Sequence, residues 1–414
     1  MTGPGGVENL KLIMRLPNPL SSLFLVSAAV PLVTAAGQPL ADHSKCGCYL
    51  TNGTESRYFS HHAFFDFRSL SQHAGVPPVI TNSGRSGAAP VTSKYFGSEE
   101  WTKWWIMGNW NNSKGQRADA SVLMVHSPNN VYIEANNDKN AKPETWLTLR
   151  TQRLKDDREF QTASEIESRS MGFRFLSVRM MARTLGSPGA ITALFTYKHS
   201  DDIALVQEAD LEMRTIDESN IIHYTNQPSY TAKGEVITQA TQNATLPDGL
   251  KWTDWAVHRL DWTPERNTWY VNGKQVAQIA FQTPRDNSKV ILNAWSDGGQ
   301  WSGNMSLNDA AYLQVQWFEI VYNSTEAVDH SHMRRGIGAS AEDNATSKQI
   351  EPRASVSNGV CNSVCSIDET PTQGQPVMLW DNGAGQLLKK RGATGWIPSF
   401  MMLVMVFFSG DGLR

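Results

Sequence analysis

The chain has 414 residues, of which 40% are hydrophobic and 19% are charged, and its formal net charge is −3. This balance predicts a globular protein, long enough for one large domain or two of medium size. The small negative charge argues against nucleic acid as a partner, because proteins that bind nucleic acids usually carry a strongly basic face.

The first 36 residues have the pattern of a secretory signal. Arg15 precedes a mostly apolar run at 20–33, and residues 33–36 offer small side chains for cleavage. Met14 is an alternative start to the chain. A signal anchor is the alternative interpretation, although the run is short for a membrane span, which needs about 20 residues. We therefore expect an extension and signal peptide at 1–36, and an extracellular protein that is secreted or associated with the cell wall or surface.

Two pairs of cysteines lie far apart in the chain. Cys46 and Cys48 open the expected mature protein, and Cys361 and Cys365 lie far downstream. An even number of cysteines in a secreted protein suggests two disulfides. A bridge between residues two apart in a strand would be strained, so we favour two bridges that join the first pair to the second. A zinc site is the weaker alternative, because each pair is wrongly spaced for the common motif.

Short alternating segments dominate from about residue 90 to 322. Apolar and polar side chains alternate at 130–134, 146–150 and 173–182, as in strands with one buried face. No long stretch of helical periodicity and no internal repeat interrupts this pattern. Many short strands in about 250 residues predict two packed antiparallel sheets.

One hairpin and one closing strand are marked clearly. Residues 268–271 and 275–279 flank Asn272-Gly273, and Asn-Gly suits the two left-handed positions of a type I′ turn. Residues 315–322 have the pattern of a strand that closes the domain.

A run of alternating carboxyls lies between these strands. Glu208, Asp210 and Glu212 occupy every second position of the segment 206–215. In a β-strand they share one face, and the apolar residues between them point the other way, into a core. Acids held side by side repel one another, which a chain tolerates mainly where acid–base chemistry or a metal requires it. A solvated edge strand is the alternative.

This run resembles the active-site strand of glycoside hydrolase family 16, whose pattern is Glu, apolar, Asp, apolar, an optional residue, Glu. Here it reads Glu208-Ala209-Asp210-Leu211-Glu212, without the optional residue and with Ala209 where Ile or Val is usual. Further segments resemble the fungal secreted branch of that family, at 160–168, 189–197, 258–264 and 292–299. The resemblance covers about residues 46–325. It implies an all-β fold, an antiparallel β-sandwich of the jelly-roll type with substrate lying across a concave sheet.

The resemblance also assigns roles to the three acids. Glu208 matches the nucleophile, Glu212 matches the general acid/base, and Asp210 matches the residue that hydrogen-bonds the nucleophile. The acid must stay protonated while the nucleophile is ionised, so we expect the Glu212 pKa to exceed that of Glu208. Retaining cleavage requires the two carboxyls to lie about 5–5.5 Å apart.

Aromatic side chains offer flat apolar faces for sugar rings, and the chain has 14 Trp. More than half of them are expected to fill the core. Tryptophans in Gly- or Asn-rich, loop-like stretches are better placed to bind substrate. These are Trp110, Trp295 and Trp301, and the amide of Asn109, next to Trp110, is a further candidate. Trp101, Trp104 and Trp105 are further candidates, and since adjacent strand residues face opposite ways, at least one of the last two should belong to the core.

Three functions agree with these residues. The first is a secreted retaining endo-β-glycosidase that hydrolyses a β-glucan-type polysaccharide by double displacement. The second is a cell-wall transglycosylase with the same glutamate pair, and the third is a non-catalytic lectin on the same sandwich. The linkage, whether β-1,3, mixed β-1,3/1,4 or a galactan, is left open by these residues. We expect a monomer whose partner is polysaccharide, with no cofactor and no metal; structural calcium would suit such a sandwich, but no oxygen-rich loop pattern supports it.

The composition changes after the expected catalytic domain at 37–325. Residues 326–391 are mostly polar and predict a partly disordered segment, from which the second cysteine pair returns to the catalytic domain. The tail at 392–414 contains thirteen mostly apolar residues, 396–408. This is too short to span a membrane but suits a glycolipid-anchor signal with its attachment site near 382–384; a wrongly predicted final exon is the alternative. Asn-x-Ser/Thr sites occur at Asn52, Asn111, Asn243, Asn304, Asn323 and Asn344.

Overall fold

The computed structural model describes residues 40–113, 117–137, 142–231, 233–325 and 361–381. The chain divides into two units, Met1–Gly37 and Gln38–Arg414. The expected signal peptide, the site Asn344 and the apolar tail lie outside the described residues. Within the described residues, no helix has the length and apolar character needed to cross a membrane.

The described part of the second unit consists mainly of strands. They are β1 (Cys48–Leu50), β2 (Tyr58–Phe59), β3 (His61–Asp66), β4 (Trp105–Met107), β5 (Leu123–His126), β6 (Val131–Ala135), β7 (Thr145–Lys155), β8 (Glu159–Ser168), β9 (Phe173–Gly186), β10 (Ile191–Lys198), β11 (Gln207–Arg214), β12 (Ile221–Gln227), β13 (Thr241–Thr245), β14 (Ala256–Trp262), β15 (Asn267–Val271), β16 (Lys274–Ile279), β17 (Lys289–Trp295), β18 (Ala310–Ser324), β19 (Ser363–Ser366) and β20 (Val377–Asp381).

Helical structure is limited to short pieces in the connections. Helix α1 (Ser83–Gly87) and helix α2 (Glu99–Thr102) each begin at a side-chain cap, Asn82 and Ser98 respectively. The remaining pieces are 3₁₀ turns at His43–Lys45, Ser71–His73, Lys94–Gly97, Pro128–Asn130, Ile203–Leu205, Thr238–Ala240 and Pro247–Gly249.

Sixteen strands form one large sheet, in the order β13-β12-β11-β10-β17-β8-β7-β18-β9-β14-β15-β16, with β3 added to β18, β4 and β5 to β8, and β6 to β7. Strand β8 pairs with β7 through residues 159–162 and with β17 through residues 164–167. It therefore passes from one half of the sheet to the other, and the two halves form the layers of a sandwich. The all-β antiparallel fold is confirmed.

The apolar faces of both layers meet in one core. The residues that alternate with the acids of β11, Ala209, Leu211 and Met213, are at most 1% exposed and belong to the same cluster as Leu260 of β14. The ring of Tyr224 on β12 lies 5.3 Å from that of Trp269 on β15. Full burial of one such side chain stabilises a fold by about 1.5–3 kcal/mol, so this core fixes which face of β11 points outward.

The predicted hairpin is present as β15 and β16. Asn272 and Gly273 adopt positive φ angles of 47° and 78°, as a type I′ turn requires. The Asn272 side chain also accepts a hydrogen bond from the Val257 backbone N–H at 2.8 Å, which ties the turn to β14.

The second, four-stranded sheet joins the two ends of the described chain, in the order β2-β1-β19-β20. Strand β19 lies parallel to β1. Disulfides connect Cys46 to Cys365 and Cys48 to Cys361. This is the favoured arrangement, in which the first cysteine pair is joined to the second.

A buried ionic cluster fastens the C-terminal segment to the large sheet. The Asp368 carboxylate pairs with Arg179 of β9 and lies 3.3 Å from Arg259 of β14, and it accepts the Asn52 backbone N–H at 2.8 Å. Burial alone would raise the pKa of Asp368, but the two guanidinium groups outweigh it and lower the pKa below the usual value. Asp368 is therefore ionised, and it neutralises positive charge that would otherwise be buried.

Asp368→Ala should destabilise the protein by about 3–5 kcal/mol, because removing one partner of a buried ion pair leaves the other charge uncompensated. The free energy of unfolding in urea measures this loss. The matched control is Asp66→Ala, which breaks an exposed pair with Arg68 and should cost about 1 kcal/mol or less. Equal losses in the two variants would show that the Asp368 cluster does not hold the segment.

Candidate active site

The three acids lie on the outer face of β11, in the middle of one layer. Strand β11 pairs with β10 on one side and β12 on the other, where Glu208 lies opposite Gln227 and Glu212 lies opposite His223. The carboxyls line a cavity of about 270 Å³. Its lining comprises Trp110, Asn112, Arg117, Met124, His126, Glu165, Ala193, Phe195, Glu208, Asp210, Glu212, Asn293, Trp295 and Asp297.

Burial raises the pKa values of all three acids. It raises the pKa of Glu208 to about 7, with an opposing hydrogen bond from Asp210, and that of Glu212 to about 7, with opposing contributions from Trp301, Arg117 and Arg214. The pKa of Asp210 is raised well above its usual value, first by burial and then by the charges of the two glutamates. The pKa values of Glu208 and Glu212 are therefore similar and do not show the higher Glu212 pKa that was expected from the sequence.

Asp210 is the deepest of the three carboxyls, with 2% of its surface exposed. Gln227 Nε2 donates to Asp210 Oδ2 at 3.1 Å, and a second hydrogen bond joins Asp210 to Glu208. Two carboxyls can share a hydrogen bond only if one of them carries a proton. This hydrogen bond raises the pKa of Asp210 and lowers that of Glu208, so Asp210 is the partner that can donate to an ionised Glu208.

Glu212 has different neighbours. Its two carboxyl oxygens lie 3.4 and 3.2 Å from Trp301 Nε1, which donates to them. The positive charges of Arg117 and Arg214 also act on this carboxyl. These groups favour the ionised form and limit how far burial raises its pKa.

Two loops are joined by side-chain contacts at the edge of the cavity near Glu212. The guanidinium of Arg117 lies 6.0 Å from the centre of the Trp295 ring, and its Nε lies 3.7 Å from Asp297 Oδ2. The Gln300 backbone N–H donates to Asp119 Oδ2 at 2.8 Å. The loop before β5 is thus fastened to the loop after β17.

The opposite wall carries a fourth carboxyl with a raised pKa, that of Glu165. Trp110 stacks on His126 with 4.0 Å between ring centres and donates to Glu165 Oε1 at 2.9 Å. Burial raises the Glu165 pKa to about 7 and lowers the His126 pKa to about 3, so His126 is a neutral support. Trp110 is 46% exposed, which leaves indole surface open to a ligand.

The structure separates the aromatic residues considered as sugar platforms. Trp110 and Trp295 line the cavity. Trp301 is half-buried, donates a hydrogen bond to Glu212, and lies outside the cavity lining. Asn109 is exposed and also lies outside the lining. Trp101 and Trp105 are 2% and 4% exposed within the core, against which Trp104 packs, so the first two are excluded as platforms.

Several cavity residues were not recognised in the sequence, and Glu165 had the clearest signal. Glu165 and Glu167 alternate on β8 just as the acids do on β11. Residues paired across the strands place Glu212, Ala193, Asn293 and Glu165 in one row. Such a row depends on strand order and register, which no local pattern reveals. The other unrecognised residues are Asn112, Arg117, Met124, His126, Ala193, Phe195, Asn293 and Asp297.

Metal ligands and glycosylation sites complete the comparison with the sequence. Within the described ranges, no group of three or more His, Cys, Asp and Glu side chains is arranged to hold a metal ion.

Asn52, Asn111, Asn243 and Asn304 are exposed, as glycosylation would require. Asn323 is half-buried, and its Oδ1 accepts a hydrogen bond from the Ser60 backbone N–H at 3.0 Å. Glycosylation stays a prediction at each of these sites.

Comparison with known proteins gives a family match over the part of the chain that contains β11. The family model described as glycosyl hydrolases family 16 matches residues 124–319. A beta-glucanase of Bacillus subtilis is 25% identical over 158 residues, which are 36% of this chain and 60% of the relative. A beta-glucanase of Bacillus amyloliquefaciens is 24% identical over 158 residues, 36% of this chain and 61% of the relative. The chain thus spans about three-fifths of the length of these curated relatives.

Solved structures give similarities of lower identity. An endo-beta-1,3-glucanase from Pyrococcus furiosus is 20% identical with a TM-score of 0.41, covering 54% of this chain and 89% of the other. The laminarinase catalytic domain from Thermotoga maritima is 16% identical with a TM-score of 0.40, covering 54% and 93%.

Glu208→Gln should stabilise the protein at about pH 8 and leave it nearly unchanged at about pH 4. The Glu208 pKa is raised from 4.5 to about 7 by burial. Between these values the folded state keeps a proton that the unfolded state has released, so stability falls as the pH rises through this window. Because Gln carries no charge, we expect a gain on the order of 1–3 kcal/mol above the window, measured as the free energy of unfolding in urea.

The exposed Glu235 provides the control. Glu235→Gln should change stability by no more than about 0.5 kcal/mol at either pH. A Glu208→Gln gain of the same size at pH 4 and pH 8 would mean that burial of its charge is not the cause.

Proposed function

Because the chain belongs to glycosyl hydrolase family 16 through residues 124–319, we propose that it is an endo-β-glucanase that cleaves β-glucan-type polysaccharide with retention of configuration. The observation that carries this proposal is that Glu208, Asp210 and Glu212 lie side by side on one strand and line the same cavity. Two carboxyls beside a bound sugar supply the nucleophile and the proton donor of glycoside cleavage. Their presence argues against a lectin, which needs neither.

In the first step, the ionised Glu208 carboxylate attacks the anomeric carbon. The glycosidic C–O bond breaks as Glu212 transfers its proton to the leaving oxygen, and a glycosyl ester forms on Glu208. In the second step, Glu212 takes a proton from water as the water oxygen attacks the same carbon. The ester bond breaks, Glu208 leaves as a carboxylate, and Glu212 is protonated again.

Asp210 supports the first of these steps. Its proton is shared with Glu208, which favours the ionised nucleophile and leaves it free to react at an oxygen that is not hydrogen-bonded. As the ester forms, the negative charge beside Asp210 disappears, and the repulsion that raises the Asp210 pKa falls with it. Asp210 therefore adjusts to both charge states of Glu208.

A retaining reaction requires the carboxyls of the two glutamates to approach each other. Four residues of strand place their Cα atoms about 13 Å apart, so the side chains must lean toward each other over Asp210 to approach the 5–5.5 Å of a retaining pair. The charge of Glu212 contributes to the raised Glu208 pKa, which agrees with an interaction between the two carboxyls.

The cavity suits a polymer. The row from Glu212 to Glu165 crosses β11, β10, β17 and β8, which is about 14 Å at the usual strand spacing and longer than one sugar ring. Trp110 provides open aromatic surface at the Glu165 end, and Trp295 on β17 also lines the cavity. Beta-glucanases among the relatives of this chain agree with a glucan as substrate.

The roles of the two glutamates are tested by azide rescue with an activated β-glycoside. Glu208→Ala leaves a gap beneath the sugar, and azide entering there should give a product of inverted configuration. Glu212→Ala should still form the glycosyl ester, and azide that attacks this intermediate should give a product of retained configuration. NMR of the two azides reads the outcome.

Asp210→Asn is the matched variant, which should keep the fold and lose most of the rate. Reversed configurations would exchange the two roles. Wild-type activity in both alanine variants would remove β11 from the reaction. Reducing-end release from β-1,3-glucan, mixed-linkage glucan and galactan, with and without an oligosaccharide acceptor, identifies the linkage and separates hydrolysis from transglycosylation.

Trp110→Ala should raise KM for the polysaccharide by about tenfold, because about 1.4 kcal/mol of ring contact is lost. The value of kcat should change less, since the indole does not touch the reacting carboxyls of β11. Tyr230→Ala is the control, because Tyr230 is similarly exposed, at 45%, but lies outside the cavity lining. An equal effect of both substitutions would argue against substrate contact at Trp110.

A further inference from the structure

Trp301 is contacted by side chains of β11, which carries the acids, and of the neighbouring strand β12. The Arg214 guanidinium lies over its ring at 4.3 Å from the ring centre. His223 contacts it edge-to-face, with ring centres 5.2 Å apart. Its Nε1 donates to both oxygens of Glu212, at 3.2 and 3.4 Å. A sugar platform needs an uncovered face, and here one face is already covered by Arg214.

Asp217, in the turn between β11 and β12, holds two of these neighbours. Its Oδ2 accepts a hydrogen bond from His223 Nε2 at 2.6 Å and lies 3.5 Å from Arg214 Nε. His223 is only 5% exposed and lies opposite Glu212 in the strand register. The indole is therefore fixed by contacts that do not involve a ligand, and its only polar atom is directed at Glu212.

We propose that Trp301 is a positioning residue for the acid/base glutamate, which its indole N–H holds and orients beside the scissile bond. This inference rests on the proposed function, because it takes Glu212 as the acid/base. It assigns Trp301 a role other than stacking on the sugar.

The physical basis is the preference of an N–H donor for a charged acceptor. A hydrogen bond to the ionised carboxylate favours that form and opposes the effect of burial. The donor also restricts the rotation of the carboxyl, so that both oxygens stay on the indole side while the proton is transferred. Removing the N–H should therefore raise the Glu212 pKa and loosen its orientation together.

Other titratable and charged groups line or border the part of the cavity around Glu212, and they must stay unchanged in the test. They are Glu208, Asp210 and Arg214 on β11, His223 on β12, Asp217 in the following turn, Arg117 before β5, Asp297 after β17, and Glu165 on the opposite wall. Substitutions confined to Trp301 leave each of them in place.

Two replacements of Trp301 isolate the N–H. Trp301→Phe keeps an aromatic ring for Arg214 but has no donor. Incorporation of 3-benzothienylalanine at this position keeps the bicyclic shape and replaces the N–H by sulfur, so it remains informative if Trp301→Phe folds poorly. In both variants the alkaline limb of the pH profile of kcat/KM should move upward by about one pH unit, and kcat should fall several-fold with little change in KM.

Trp295→Phe is the matched control, because Trp295 lines the cavity without a hydrogen bond to Glu212 among its described contacts. It should raise KM and leave the alkaline limb in place. An unmoved limb with raised KM in the Trp301 variants would overturn the proposal in favour of sugar stacking. An unmoved limb with only a lower melting temperature would overturn it in favour of a structural role.

A measurement without substrate separates this inference from the proposed function. The Glu212 carboxyl, labelled with ¹³C and assigned through Glu212→Gln, is titrated by NMR in the wild type and in both Trp301 variants. An upward shift in the variants supports the inference even if no β-glucan is hydrolysed, an outcome that would refute only the proposed substrate. Identical titrations in all three proteins would refute the inference whatever the activity.

Discussion

Strand β11 has to satisfy two opposite environments at once. One face contributes Ala209, Leu211 and Met213 to the core, and the other carries three carboxyls into a cavity where burial raises the pKa of each. The two-residue period of a strand makes this possible, because every second side chain turns to the opposite face. The apolar contacts lock the register, and a slip by one residue would exchange the acids with the core. The other layer of the sandwich supplies the apolar side chains, such as Leu260, that pack behind the strand.

The cost of burying the acids is limited by partners of two kinds. Around Glu208 and Asp210 the partners are a shared proton, which removes one negative charge, and the amide of Gln227, which donates a hydrogen bond to Asp210. Around Glu212 they are the indole of Trp301 and two guanidinium groups, which stabilise a charge when it forms. The surroundings of Glu208 and Glu212 therefore differ, although burial raises the pKa of each to a similar value.

Features encoded by local periodicity could be predicted from the sequence. The alternating acids, the Asn272-Gly273 turn and the all-β architecture follow from neighbouring residues, and the spacing of the cysteines favoured the observed joining of the two pairs. Glu165, Arg117 and the ionic cluster of Asp368 could not be predicted, because they depend on which strands become neighbours and in what register. Trp301 shows a subtler limit. The sequence indicated that it lies near the site, but only the side chains around it show that its polar edge, rather than its face, is directed at the acids.

The disulfides also impose an order in time. Cys46 and Cys365 are 319 residues apart in the chain, and Cys48 and Cys361 are 313 apart. At a synthesis rate of about 5–20 residues per second, the first cysteine emerges roughly 15–60 s before its partner. During this interval β1 has no β19 beside it, and the whole of β11 and its neighbouring strands have already been made. Both disulfides can therefore form only after the strands that carry the three acids have been synthesised, and until then the two early thiols have only each other as cysteine partners within the chain.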